Sequence, residues 1–454
     1  MANCARWSNN RVFVMAAAGA AIGFANFWYF PHFMLNYGGS AFLLVYVAAL
    51  LILGFPLMVC EILIGRRGGF SPINSIRLLI VKDSCDGRWT ILGWITTFVG
   101  ILILSYLSVI AGWSIAYALR AASGEFAGLT ADGVSSRFYK FASDPEKQLF
   151  WHSLFVFVTM MINACGLRIG MQRFVRFAFP AFFAIVLVLA LYSLAAGHPT
   201  ESIPQLLRFN WGALTVDVVY IAAGHALFSL GLGMGVFIVY STHLDPTAPV
   251  STMALKVIAI DTVAGMAAAF IVISFVSASV LTETSGLALV FQAIPQALDH
   301  LPYSRFAGGL FFLALTISAW LSAIALVEPV VSWIVESLAI SRPTAAMICG
   351  LFAWVLGVVV ILSFNYWSFQ ADILGIEIRR GLVDILQIVT SYIMIPLALI
   401  LTATFAGWGF RRQALLQELS FLSSAQLTAA IWSLRVLIPF IVAWVFFNLY
   451  RLNL

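Results

Sequence analysis

Apolar stretches of about 20 residues recur from the N-terminal region to the end of the chain, each long enough to cross a hydrocarbon layer roughly 30 Å thick. Lipid offers no hydrogen bonds, so a chain that spends its length there must close its backbone pairs inside helices or around a closed barrel. Runs such as Phe182 to Leu194 are apolar on every face, whereas a barrel strand alternates between lipid and lumen. The sequence therefore predicts an all-α polytopic membrane protein. Composition agrees, with 62% hydrophobic and only 9% charged residues, against about 25% charged in soluble domains. The net charge of +5 is what basic loops give a membrane protein, and nucleic acid is not implied. Cys4, Cys60, Cys85, Cys165 and Cys349 lie far apart without metal-ligand or disulfide spacing. The first apolar stretch continues through Pro31 without a small-residue cleavage site, and reads as a membrane helix rather than a signal peptide.

Polar, Gly and Pro breaks divide the chain into about eleven spans, approximately 12–33, 40–64, 90–120, 150–166, 174–196, 215–241, 254–280, 306–338, 344–363, 384–408 and 429–450. The polar connection 121–149 reads as a surface loop. Lys and Arg are in excess in the loops on the N-terminal side, which predicts a cytoplasmic N-terminus and, with an odd number of spans, an outward C-terminus. Lipid is the expected surround, and the oligomeric state is open.

Two spans depart from simple helices. The first contains Gly19 and Gly23, and the sixth contains Gly231, Gly233 and Gly235 at alternate positions. Glycine costs about 1 kcal/mol per helix position relative to alanine, and alternate spacing does not make a small-xxx-small packing face. Unwinding explains the pattern, and unwound backbone at membrane depth is tolerated only around a protein-enclosed cavity. The interruptions fall in corresponding members of two five-helix blocks, about 12–196 and 215–408, with an extra helix at about 429–450. That predicts one transmembrane domain over 1–454, a 5+5 inverted repeat with a central site between its broken helices.

The run from Gly19 through Gly23, Asn26, Phe27, Phe30 and Pro31, with Gly38, Gly39, Ala41 and Phe42, then Pro56 to Glu61 and Gly65 to Gly69, resembles the neurotransmitter:sodium symporter family, bacterial eleven-helix type. The similarity continues through Ser108 to Trp113, the glycine-broken sixth span, Leu321–Ser322 and Gly407–Trp408. The resemblance implies no enzymatic reaction. It implies sodium-coupled import of a small amino acid or related amine by alternating access, in a bacterial inner membrane. A proton-coupled or uniport carrier on the same fold, or a non-transporting ligand sensor, are the alternatives.

Carried over by position, the resemblance assigns one sodium site to Ala21, Asn26, Ser229 and Asp261, where Asp261 replaces the family's Asn. A second falls on Gly19, Ile22, Ser318 and Ser322, with Leu321 in place of a Thr ligand. His225 and Asp261 are two titratable groups expected to lie near each other as a coupling pair. The substrate pocket falls on Ala21, Phe24, Ala25, Ile103, Leu107, Phe228, Gly231, Met234, Ser322 and Leu326. There Leu107 replaces a carboxylate-binding Tyr, and Tyr106 points elsewhere. The resemblance further implies an inner gate of Arg6, Trp7 and Glu336, and an outer gate in which Tyr29 meets Asp384.

Overall fold

The computed structural model describes residues 6–276, 286–373, 376–412 and 423–452. The chain is helical almost throughout, with one short hairpin, β1 (Ala371–Ile373) and β2 (Ile376–Ile378). The first span divides into α1 (Asn10–Ala21) and α2 (Ala25–Asn36), whose axes differ by 63°. The Asn9 side chain caps α1 by accepting from the Val12 amide at 2.9 Å. Next come α3 (Ser40–Gly68), α4 (Pro72–Asp83), α5 (Thr90–Ser123), α6 (Ala131–Ala142), α7 (Pro145–Ala164), α8 (Leu167–Ala196) and α9 (Pro199–Leu207). The sixth span divides into α10 (Val216–Ser229) and α11 (Val236–Ser241). The second half continues with α12 (Val250–Phe275), a helical run α13 over 286–299, α14 (Ser304–Leu338), α15 (Arg342–Ser363), α16 (Leu382–Gly409) and α17 (Ser424–Arg451).

Among the described residues eight helices are long and apolar enough to cross a membrane, and α1 with α2 makes a ninth span. The other two expected spans are α7, which opens on the charged Glu146 and Lys147, and the divided α10–α11, each part of which is short. The end of the seventh expected span, 277–280, lies outside the described residues. The connection 121–149, expected to be a surface loop, instead carries α6. Its Val134, Phe138 and Phe141 are buried, and the rings of Phe138 and Phe141 lie 5.8 and 6.1 Å from Trp113. The charges of this segment had masked a one-sided apolar stripe.

The core is built around α5 and α14, the most extensively packed pair, each buried along most of its length. Glycines set the closest approaches. A Cβ on Gly65 of α3 would fall 1.8 Å from the Ile238 carbonyl oxygen of α11, and one on Gly100 of α5 would fall 2.4 Å from the Leu326 carbonyl oxygen of α14. Gly65→Ala is therefore expected to abolish recovery of monodisperse protein. Gly231→Ala, where a Cβ meets nothing nearer than 4.0 Å but φ is +67°, should cost only about 1–2 kcal/mol and leave a folded protein with a lower melting temperature. Size-exclusion profiles and thermal melts of the two variants check the contrast.

Candidate functional site

The two helix breaks face one another. After Ala21 the chain leaves helical geometry at Ile22 (φ −71°, ψ 106°) and resumes it at Ala25. Between α10 and α11 the backbone turns on Gly231, Gly233 and Gly235, with φ of +67°, +79° and +70°, a region L-residues avoid. A Cβ placed on Gly231 would lie 4.0 Å from both the Ala20 carbonyl oxygen and the Met234 sulfur, so the gaps are in direct apposition. The turn is held from behind by Glu61 of α3, whose Oε1 accepts the Gly233 amide at 2.6 Å.

Beside this gap lies Asp261, on α12 and fully buried. Three side chains from three other helices donate to its carboxylate: Asn26 Nδ2 at 3.1 Å, Ser229 Oγ at 2.9 Å and Tyr46 Oη at 3.3 Å. A buried carboxylate is costly in lipid unless it is partnered. Three donors meet much of that cost. Asn26 Oδ1, buried on the same residue, has no partner among the described residues. An orphaned amide oxygen, a carboxylate, a hydroxyl and the free carbonyls at the end of α1 form an oxygen-only set suited to a hard cation. Three of the four positions expected for the first sodium site, Asn26, Ser229 and Asp261, are thus joined directly, and Ala21 closes α1 at the gap.

The second expected site is joined only in part. Ser322 Oγ donates to the Ile22 carbonyl at 3.1 Å, while Ser318 Oγ donates to Leu315 within its own helix at 2.9 Å. Leu321 packs against Gly19, where a Cβ would come within 3.2 Å of its side chain. An isobutyl group therefore stands where the resemblance calls for a hydroxyl.

His225 makes no hydrogen bond to Asp261 among the described residues, but both contact Tyr46. The His225 ring packs against Phe30, Phe33 and Tyr46 at 5.8, 5.4 and 5.6 Å, and Tyr46 alone of these reaches the carboxylate. Of the pocket residues, Phe24 and Ala25 open α2, Phe228 and Met234 flank the second gap, and Ile103 and Leu326 are buried on α5 and α14. Leu107 is partly buried among core side chains. Tyr106 does point elsewhere, its hydroxyl 3.4 Å from Thr390 of α16.

A sequence model described as the sodium:neurotransmitter symporter family matches residues 4–130 and 147–376. The chain belongs to that family. An uncharacterised sodium-dependent transporter of Bacillus subtilis (strain 168) is 28% identical over 98% of this chain and 97% of its own length. Another, of Methanocaldococcus jannaschii, is 28% identical over 93% and 85%. The crystal structure of MhsT in complex with L-phenylalanine superposes with a TM-score of 0.86 at 30% identity, covering 98% of this chain and 99% of that one. The protein is accordingly an integral membrane, sodium-dependent transporter and not an enzyme.

Both expected gate pairs of this transporter are rearranged. Arg6 lies 3.6 Å from Asp245, beyond α11, rather than pairing with Glu336. Hydrogen bonds from Thr247, then the charge of Arg6, hold the exposed Asp245 carboxyl below the usual carboxylate range. Glu336 instead accepts the Ser71 amide at 2.8 Å, the Ser71 hydroxyl at 2.5 Å and Asn74 Nδ2 at 2.8 Å, the start of α4 being a better donor cluster than one exposed arginine. Trp7 keeps its place, its indole N–H donating to the Tyr240 carbonyl at 2.7 Å. On the opposite side Asp384 pairs with Arg380 at 3.0 Å and accepts the Arg379 and Arg380 amides, so Tyr29 is not its partner. The four-residue spacing of Arg380 and Asp384 is the signal that could have revealed this pair.

Asp261→Asn removes the charge while keeping the side chain's shape. It should raise the sodium concentration for half-maximal binding at least about fivefold, near 1 kcal/mol, and abolish the weakening of sodium binding by acid expected of the parent chain. Sodium titrations at two pH values check both effects, and unchanged ion and pH dependence would overturn the assignment.

Proposed function

We propose that the transporter imports an amino acid or related amine together with sodium by alternating access. The apposition of the two helix gaps beside the Asp261 carboxylate carries this reading. In it the first sodium is held by the Ala21 carbonyl, Asn26 Oδ1, the Ser229 hydroxyl and Asp261. The second position, on Gly19, Ile22, Ser318 and Ser322, is weakened by Leu321, so one sodium dominates.

The substrate would lie against the gaps, where free amides at the start of α2 offer positive dipole ends to a carboxylate and the α1 carbonyls face an amine. Phe24, Ile103, Leu107, Phe228, Met234 and Leu326 give this space apolar walls, which favour a hydrophobic side chain. The bound L-phenylalanine of MhsT supports an amino acid of that kind. Leu107 supplies no phenol, so the substrate carboxylate forgoes a hydrogen bond worth about 1.5–3 kcal/mol, and an amine without a carboxylate loses less. Ala25 and Gly231 complete the pocket, with Ser322 and Ala21 shared between pocket and ion sites. The domain is read as two inverted repeats, about 12–196 and 215–408, with the last helix outside them. The N-terminus faces the cytoplasm of a bacterial inner membrane, and Arg6–Asp245 and Arg380–Asp384 close opposite ends of the path.

Purified protein in proteoliposomes, given a labelled amino-acid mixture, should accumulate label under an inward sodium gradient and not under potassium at equal pH. Accumulation driven by a proton gradient alone, or downhill flux indifferent to sodium, would overturn sodium coupling. Leu107→Tyr should tighten amino-acid binding about tenfold or more, the factor expected for one hydrogen bond to a charged group. Leu321→Thr should steepen the sodium dependence by restoring the missing ligand, and an unchanged slope would count against a second site there.

A further inference from the structure

We propose that the groove between α7, α8 and α14 holds one acyl chain of an anionic phospholipid whose phosphate is bound by Arg173. The groove has a volume of about 500 Å³ and opens on the outer surface of the helix bundle, in the range of ligand-sized sites. Gly170, Ala178 and Ala181 of α8 make its floor shallow-sided, while Met161 of α7 and Ile317 and Trp320 of α14 wall it. From Arg173 to Ala181 is eight residues, about 12 Å at 1.5 Å per residue. That is close to the depth of one leaflet of a hydrocarbon layer roughly 30 Å thick. At that depth no water is available to fill an apolar groove, so its occupant is a lipid chain or another protein surface.

Charge decides between these. Arg173 lines the groove one turn in from its Ile169–Gly170 edge, is exposed, and has no ionic or hydrogen-bonding partner among the described residues. Arg168, in the turn that opens α8, is likewise exposed and unpaired among them. A free guanidinium lining an apolar groove, with a second in the turn before it, matches a phosphodiester carried on acyl chains, since arginine binds phosphate through paired N–H donors and basic pockets between membrane helices hold anionic headgroups. A second copy of this chain would bring the same arginines and repel. The residues on either side of Arg173 fix the leaflet. Gln172 donates to the Arg6 carbonyl at 3.1 Å and Arg176 donates to Ser8 Oγ at 2.5 Å, so the headgroup lies in the leaflet on the side of the N-terminal segment.

The test uses the full-length protein in mild detergent, incubated with equal amounts of dioleoyl phosphatidylglycerol and dioleoyl phosphatidylcholine and read by native mass spectrometry. One phosphatidylglycerol should be retained per chain, at least about fivefold over phosphatidylcholine. Arg173→Gln should bring that ratio near one, and Ala178→Trp should lower retention of both lipids. A ratio unaltered by Arg173→Gln, or loss of lipid in favour of a dimer, would overturn the proposal. A second readout needs no groove variant to fold. Phosphatidylglycerol brominated in its chains should quench tryptophan fluorescence of the parent protein more than that of Trp320→Phe, and equal quenching would exclude a chain in this groove.

Discussion

Backbone groups at membrane depth have nowhere to turn but the protein itself, and the architecture follows from that requirement. At two places the chain leaves carbonyls and amides without helical partners, and the rest of the molecule is arranged around their satisfaction. Gly231, Gly233 and Gly235 permit the second break by accepting positive φ, and Glu61 takes up one freed amide. The first break finds one partner in Ser322 of α14. Asn26 Oδ1 stays without a partner among the described residues, and with the carbonyls at the end of α1 it is the oxygen set to which the proposed sodium is assigned.

The gates obey a different logic. Arg6 and Asp245 lie in exposed segments outside the helices and Glu336 near the end of α14, where water competes for charge and an exposed pair is worth at most about 1 kcal/mol, while Asp384, in the first turn of α16, keeps only 12% of its side chain exposed. Partners there are set by whichever donor cluster the loops bring near, which is why Glu336 settles on the start of α4 and Asp384 on its own preceding turn. In the proposed alternating-access cycle, weak and exchangeable pairs suit elements that open at each turnover. The buried contacts of Asp261 are of the opposite kind, each leaving a polar group stranded in the interior if broken.

Much of this was legible in the sequence for physical reasons. Long apolar runs fix the class, alternate glycines mark the second break, and an acid inside an apolar helix must find buried donors, as Glu61 does at Gly233 and Asp261 at Asn26, Ser229 and Tyr46. Leu107 and Leu321 could be read as departures because the residues around them keep their spacing. The short helices were not legible in the same way. α6 hides its buried stripe among charges, and no periodicity long enough to register spans its twelve residues. Nor could position alone say that Tyr46 would intervene between His225 and Asp261, since that depends on how α3 leans against α10 and α12.

In the proposed cycle, with sodium held at Asp261 and a zwitterionic substrate, a carboxylate at that depth also determines which half of the cycle feels the membrane potential. When it is ionised, one bound sodium makes the loaded site neutral, and a zwitterionic substrate adds no net charge. In that cycle the loaded protein would cross between its two orientations without electrical work, while the empty protein would return carrying one negative charge. Moving one charge through 100 mV is worth about 2.3 kcal/mol, and an inside-negative potential pushes that empty, negative site outward. With an amide in place of the carboxylate the loaded state would carry the charge instead. The voltage across the membrane would then drive delivery rather than the return of the carrier.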